Sequence, residues 1–337
     1  MEPLVSVALA TYNGAQYLRD QLDSIYNQTY KNIEVIVCDD CSVDDTVNIL
    51  KEYKKRYGLK FCVNEQRLGF VKNFEKAIGL CRGDYIALCD QDDIWMPEKI
   101  ETLIKNINGH PIICSDLILV EKNNNVVDTS LYRHVDLRFY SQDQFKYLVN
   151  SNFVVGCTTL FQSYLKNYIL PFPENIPFHD WWIALVASTM GNIIFYAEPL
   201  VRYRYHGNNN SKTGKRNIVN SIFEKIKEVK EKMHNNFYEE KKRWLANIYK
   251  SNIFSIEHKK YINTILHIYV DMTEKFFPVK ASILALKHRK YMFPRRGPVK
   301  RIVFTLGIVF SGLFRLLDSY SNDMSKNSKF TMAKKGH

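Results

Sequence analysis

The chain has 337 residues, 46% of them hydrophobic and 24% charged, with a formal net charge of +12. That length and apolar content exclude a chain disordered throughout and leave room for one large core or two modest ones, so a catalytic domain with an accessory region is expected. The charge is unevenly divided: residues 1–211 carry 20 Lys+Arg against 25 Asp+Glu (net −5), whereas residues 212–337 carry 27 against 10 (net +17). The seven cysteines, at positions 38, 41, 62, 81, 89, 114 and 157, lie in the first half and several sit inside apolar runs. An odd number in such places reads as free thiols in a reducing compartment, and Cys38-Asp39-Asp40-Cys41 has no second pair at zinc-finger spacing. No basic stretch leading into a hydrophobic run opens the sequence, so a cytoplasmic enzyme is expected.

Apolar runs of four to seven residues alternate with amphipathic, helix-length segments through the first 120 residues, the βαβ signature of a mostly parallel, Rossmann-like α/β sheet. Strands are predicted over Leu4–Ala10, Ile33–Cys38, Lys60–Val63 and Tyr85–Cys89, and helices over Ala15–Asn27, Val43–Tyr57 (ending at Gly58) and Phe70–Leu80. Pro97 suits the first turn of a further helix reaching about Asn106. Beyond Pro111 the pattern loosens into Ile112–Val120, an Asn-rich turn at Asn123–Asn125, a short strand, and helical stretches near Ser141–Asn150 and Asp180–Met190. The run Gly207-Asn208-Asn209-Asn210-Ser211 reads as a loop at a domain edge. Lys/Glu-rich helices are predicted after it, over about 218–249, 259–277 and 280–291. The chain thus divides into 1–110, 111–211 and 212–337, the last a basic helical region.

In open α/β sheets ligands gather at the carboxyl ends of strands, and Thr11-Tyr12-Asn13, Asp39-Asp40 and Asp90-Gln91-Asp92-Asp93 all fall there. Three carboxylates within four residues repel one another unless a cation compensates them, and hard oxygen ligands select Mg²⁺ or Mn²⁺. If the segment is extended, Asp90 and Asp92 point the same way and leave Asp93 for a neighbouring contact. The competing reading is a solvated acidic turn that caps the next helix. Ser42, Asp44 and Asp45 are explained as capping and dipole residues. Asp39 and Asp40 can accept hydrogen bonds from a pyrimidine imide or a ribose hydroxyl.

Three ordered stretches, Val5–Asn13, Ile33–Thr46 and Gly83–Trp95, resemble the inverting glycosyltransferases of family 2, which have the GT-A fold; the resemblance covers about residues 3–210. It implies that Thr11, Tyr12 and Asn13 line a nucleotide pocket, that Asp40 with Asp39 recognises the base, and that Arg67, Lys72 and Asn73 belong to the donor site. Asp90 then opens the D-x-D signature, contacting donor and metal, and Asp92 completes it as the main metal ligand. Lys72 stands where many relatives carry Arg, a cation without bidentate geometry. Wording such as Lys72-Asn73-Phe74 and Asp90–Trp95 is similar to bacterial rhamnosyltransferases of surface-polysaccharide synthesis. The resemblance makes Asp180 of His179-Asp180-Trp181-Trp182 the general base, with His179, Trp181 and Trp182 around the acceptor. The alternative is a helix amino-terminal cap. In Arg202–Asn209 it implies that His206 completes the metal shell and that Arg204 meets the diphosphate, with the Gly/Asn-rich loop after them as a lid. The activity implied is metal-dependent transfer from a nucleoside-diphosphate sugar, thymidine-diphospho-rhamnose or a uridine-diphospho-hexose, to a hydroxyl of a polysaccharide or lipid-linked glycan.

Arg295–Arg301 precedes thirteen residues without a charge, Ile302–Phe314, which are too few to span a bilayer. An interfacial anchor at the inner face of the cell membrane fits them, with a packed core helix as the alternative. The basic helices interleave Glu with Lys, so they form no continuous phosphate-binding stripe and no nucleic-acid partner is expected. A nucleotidyltransferase on a similar sheet is the rival enzyme class; no Gly-x-x-x-x-Gly-Lys-Ser/Thr loop is present to support phosphotransfer of the Walker type.

Overall fold

The computed structural model describes residues 2–205, 237–275, 278–294, 301–302 and 305. The chain divides into two compact units, residues 1–216 and 217–337. The first unit opens with β1 (Val5–Thr11), α1 (Ala15–Tyr26), β2 (Ile33–Asp39), α2 (Thr46–Tyr57), β3 (Lys60–Val63), α3 (Phe70–Leu80) and β4 (Tyr85–Cys89). These four strands lie parallel in the order β3-β2-β1-β4. Val5, Val7, Ala8, Leu9, Val37, Ile86 and Ala87 are fully buried, because a parallel sheet is covered on both faces. Helix α2 ends where Gly58 turns left-handed at φ 75°, a conformation that costs glycine little.

The remainder of the unit is β5 (Ile94–Trp95), α4 (Lys99–Asn106), β6 (Ile112–Glu121), β7 (Val126–Asp128), α5 (Leu131–His134), α6 (Gln144–Asn150), β8 (Thr159–Gln162), α7 (Lys166–Ile169), α8 (His179–Ala187) and β9 (Ile193–Tyr205). One mixed sheet runs β3-β2-β1-β4-β8-β6-β9-β5, with β7 on β6. Strand β8 is antiparallel to both β4 and β6, whereas β9 is parallel to β6 and antiparallel to β5. The architecture is the expected GT-A arrangement, a parallel nucleotide half extended by a mixed one. In the second unit α9 (Phe237–Lys250), α10 (Ile256–Glu274) and α11 (Val279–Met292) bury Trp244, Ile248, Ile262, Ile265, Ile268 and Ala285.

Several boundaries differ from expectation for identifiable reasons. Helix α2 starts at Thr46 instead of Val43, because Asp44 accepts hydrogen bonds from the Thr46 N–H and hydroxyl and from the Ala15 N–H, holding residues 42–45 as a turn. Strands β5, β8 and β9 were not anticipated. Pro199 reads as a strand breaker within β9, yet it sits opposite Asp116 where the pairing register shifts, so no ladder hydrogen bond is lost. Expected features at Gly207–Ser211, the start of the helix predicted from 218, and 306–317 lie outside the described residues. Among the described residues no helix is long and apolar enough to cross a membrane.

Candidate active site

The carboxyl ends of β1, β2 and β4 converge on a network that fixes their loops. The Gln91 side-chain amide forms a two-point clamp on Tyr12: its oxygen accepts from the Tyr12 N–H at 2.8 Å and its nitrogen donates to the Tyr12 carbonyl at 3.0 Å. A Cβ on Gly14 would fall 2.2 Å from that Gln91 oxygen, which is why glycine follows Asn13. Asn13 takes a left-handed φ of 48°, tolerable for Asn, and its side-chain oxygen accepts from the Val43 N–H at 2.9 Å. The Arg67 guanidinium lies 3.9 Å from the centre of the Tyr12 ring, so these two expected donor-site residues share one exposed stack.

Other expected donor contacts turn inward. Asp39 is completely buried and accepts from the Thr11 hydroxyl at 2.9 Å and from the N–H and hydroxyl of Ser42 at 2.9 and 2.5 Å. Asp40, also buried, accepts from the amide nitrogen of Asn64 at 2.9 Å and the N–H groups of Leu68 and Gly69 at 2.7 and 2.8 Å. Buried Asn73 donates to the Cys38 carbonyl at 2.8 Å and accepts from Asn64 at 2.9 Å. The carboxylates of Asp39 and Asp40 satisfy N–H groups of the turns beside them, and Asn73 ties the start of α3 to β2, so the three hold the strand-end loops together. Lys72 is engaged by Glu75 at 2.5 Å and by the Phe172 carbonyl at 3.2 Å.

The acidic cluster is bent at Gln91 and Asp92 instead of extended. Consequently residues three apart converge: ligand atoms of Asp90, Asp93 and Cys157 lie within 4.8 Å of one another, whereas the expected pairing was Asp90 with Asp92. Asp93 is fully buried; one carboxylate oxygen accepts from the Arg204 N–H at 3.2 Å, and the other has no hydrogen-bond partner among the described residues. Burial first, then the charges of Asp92 and Asp180, push the Asp90 carboxyl up to about 7. Burial first, then the charges of Asp92 and Asp90, hold Asp93 well above the usual carboxylate range. Two carboxyl groups reluctant to ionise, one with an orphaned oxygen, suit a hard divalent cation such as Mg²⁺ or Mn²⁺. Cys157 is a poor ligand for it, because burial raises its thiol far above its ordinary value and keeps it protonated. His206 lies outside the described residues.

Beneath the cluster Lys99 is fully buried, lying 3.4 Å from the centre of the Trp95 ring and donating to the Cys157 carbonyl at 2.6 Å. Burial lowers it to about 8, which leaves a cation close to Asp93 and Asp90. Arg204 is buried too and spends its guanidinium on the carbonyls of Asp92 (3.0 Å) and Lys122 (2.7 Å) and on Asp20 (3.0 Å), above the Tyr17 ring. It thereby braces the acidic loop, since β9, which carries it, runs beside β5.

Across from the cluster, Asp180 sits in the first turn of α8. Its carboxylate accepts from the N–H groups of Trp181 (2.6 Å) and Gly156 (2.9 Å) and from Asn152 (3.2 Å). Burial outweighs these donors and pushes it up to about 6. A Cβ on Gly156 would meet the imidazole of His179 at 3.2 Å and Asp180 at 3.3 Å, so the close approach of this peptide needs glycine. His179 itself is buried and stacked 3.8 Å from Phe74, lowered to about 3 by burial and so neutral. Trp182 is completely buried with its N–H on the Ile169 carbonyl, while Trp181 keeps partial exposure. Helix α8 is covered almost all round, so His179 and Trp182 pack the core and Trp181 alone of the three expected acceptor residues retains open surface. Gln91, Asn64, Asn152, Gly156 and Lys99 were not anticipated as parts of the site. Gln91 lies within a motif read for its charges, and Lys99 belongs to no motif.

The sequence model described as "Glycosyl transferase family 2" matches residues 6–169. An uncharacterized glycosyltransferase of Haemophilus influenzae is 32% identical over 219 residues, 62% of this chain and 68% of that protein. The dTDP-rhamnosyl transferase RfbG of Shigella flexneri is 31% identical over 221 residues, 60% of this chain and 72% of that protein. Among solved structures, residues 1–349 of Staphylococcus aureus TarS in complex with UDP-GlcNAc superpose with a TM-score of 0.56 at 16% identity, covering 95% of this chain and 92% of that one.

Proposed function

The chain belongs to glycosyltransferase family 2, and from that membership we propose that it transfers a sugar from a nucleoside-diphosphate donor to a hydroxyl of a cell-surface polysaccharide or lipid-linked glycan, in one inverting step. The observation that carries this reading is the placement of Asp180: a half-buried carboxylate fixed by three donors, raised to about 6, and near enough to Asp90 for its charge to weigh on that carboxyl. At neutral pH such a group is ionised yet basic enough to take a proton, which a general base requires. It removes the acceptor hydroxyl proton as that oxygen bonds to the anomeric carbon and the bond to the donor phosphate breaks on the opposite face.

Asp90 and Asp93, with Asp92 and His206 as further candidates, would hold a divalent ion, which when bound offsets charge on the leaving nucleoside diphosphate. Tyr12 and Arg67 offer the base a stacking surface, and Thr11, Asn13, Asp39, Asp40 and Asn73 hold that surface in shape. Lys99 keeps a compensating cation under the acidic loop. Thymidine-diphospho-rhamnose is the favoured donor, supported by the likeness to RfbG; the UDP-GlcNAc complex of TarS favours a uridine-diphospho-sugar as the second reading. The basic region after residue 211 supports peripheral association with the inner membrane face. A panel of nucleotide-sugars assayed for hydrolysis, with and without Mn²⁺, tests the proposal: metal-dependent release of TDP from TDP-rhamnose is expected, and no metal-dependent response to any donor would overturn it.

A further inference from the structure

Helix α3 joins the two halves of the site. At its amino-terminal end Asp40 accepts from the N–H groups of Leu68 and Gly69, and one turn on, Asn73 is anchored to the Cys38 carbonyl, so the helix is tied to the donor side. Its other face holds the segment that leads to Asp180. Both main-chain polar groups of buried Phe172 are taken by this helix: the N–H donates to Glu75 at 3.0 Å and the carbonyl accepts from Lys72 at 3.2 Å. Lys72 and Glu75 are themselves paired at 2.5 Å, closing the clamp. Further along the segment Phe178 lies 6.0 Å from Phe70, and His179 stacks on Phe74 at 3.8 Å. At the far end of α3, Lys166 donates to the carbonyls of Gly79 and Cys81 at 3.1 and 2.7 Å.

An exposed ion pair alone stabilises little, but one that captures both main-chain hydrogen-bonding groups of a single buried residue sets a position. We propose that Lys72 and Glu75 are positioning residues, which register the Phe172–Asp180 segment, and with it the base, against the donor half of the site. The inference rests on the reading of Asp180 as base. It gives Lys72 work that needs a point charge and no fork, and so accounts for lysine at this position. A base displaced by about 1 Å can lose on the order of a hundredfold in rate while donor binding is untouched.

The test is steady-state kinetics of Lys72→Met, Glu75→Ala, their double variant and Lys72→Arg in the full chain. The readout is nucleoside-diphosphate release from whichever of TDP-rhamnose or UDP-GlcNAc the wild type turns over faster, alongside amide exchange of residues 172–180. Both single variants should lose at least tenfold in kcat with donor KM unchanged within twofold, the double variant should be no worse than either single one, and Lys72→Arg should recover most of the rate. Amides of 172–180 should exchange faster in Lys72→Met while those of 64–69 do not change. A raised donor KM at unchanged kcat in Lys72→Met would make Lys72 a donor contact and overturn the clamp, as would unchanged exchange at 172–180. Asp180→Asn run in parallel separates the two readings. An inactive Asp180→Asn beside a fully active Lys72→Met removes the clamp alone, whereas an active Asp180→Asn removes both.

Discussion

The Asp180 carboxyl is set by a contest between burial, which raises its pKa, and three hydrogen-bond donors that oppose the rise; burial wins and leaves it at about 6. The sign of the pH dependence follows. In the proposed role as base the group acts only when ionised, so kcat/KM should climb tenfold per pH unit below about 6 and level off above it. Its charge in turn bears on the Asp90 carboxyl and the Tyr132 hydroxyl, both of which it pushes up. Asn152→Ala removes one donor to the ionised form and should move that limb upward by a measurable fraction of a unit in a pH–rate profile; an unmoved limb would assign it to another group. At the opposite side of the site, Gly14 leaves no room for a methyl group beside Gln91. Gly14→Ala should break the Gln91–Tyr12 clamp, cost about 1–3 kcal/mol in urea unfolding and weaken nucleotide binding measured by calorimetry.

Among the elements, β9 shows how an end of the site is held. Arg204 near its carboxyl end ties the carbonyls of Asp92 and Lys122 together, and a buried guanidinium so engaged leaves unpaired acceptors when truncated. Arg204→Ala should cost about 2–4 kcal/mol and loosen the acidic loop, read as a lower melting temperature and faster amide exchange at residues 90–93. The parallel half was legible from sequence because each of β1, β2 and β4 is a mostly apolar run, broken only by Ser6 and Glu34, that leads into polar residues, a pattern that burial on both faces imposes. The mixed half was less so. Strand β8 has four residues, β9 carries Pro199 in its middle, and β5 has two, and none of these yields a period long enough to recognise. The same limit applied within the site. Position at a strand end located Thr11, Tyr12, Asp39, Asp40 and Asp90, but which carboxylate faces a neighbour and which faces the pocket depends on the bend at Gln91–Asp92 and on N–H groups supplied by distant loops. Asn152 and Gly156 belong to no motif, and only the folded chain brings them to Asp180.

For the molecule as a whole, charge is divided unevenly, with a net −5 over residues 1–211 and a net +17 over residues 212–337. A net +17 after residue 211 predicts that the full chain sediments with vesicles containing anionic lipid and not with neutral ones, and that binding falls as ionic strength rises past the physiological range. Equal binding to neutral vesicles would contradict this reading of the region. The central claim, that opposed carboxylates divide the labour between holding the donor and activating the acceptor, is tested most directly by Asp180→Asn. Titrating the variant with TDP-rhamnose and Mn²⁺ and then measuring turnover should give donor affinity within about twofold of wild type and a rate lower by roughly 10³-fold or more. Wild-type turnover in that variant would contradict the account.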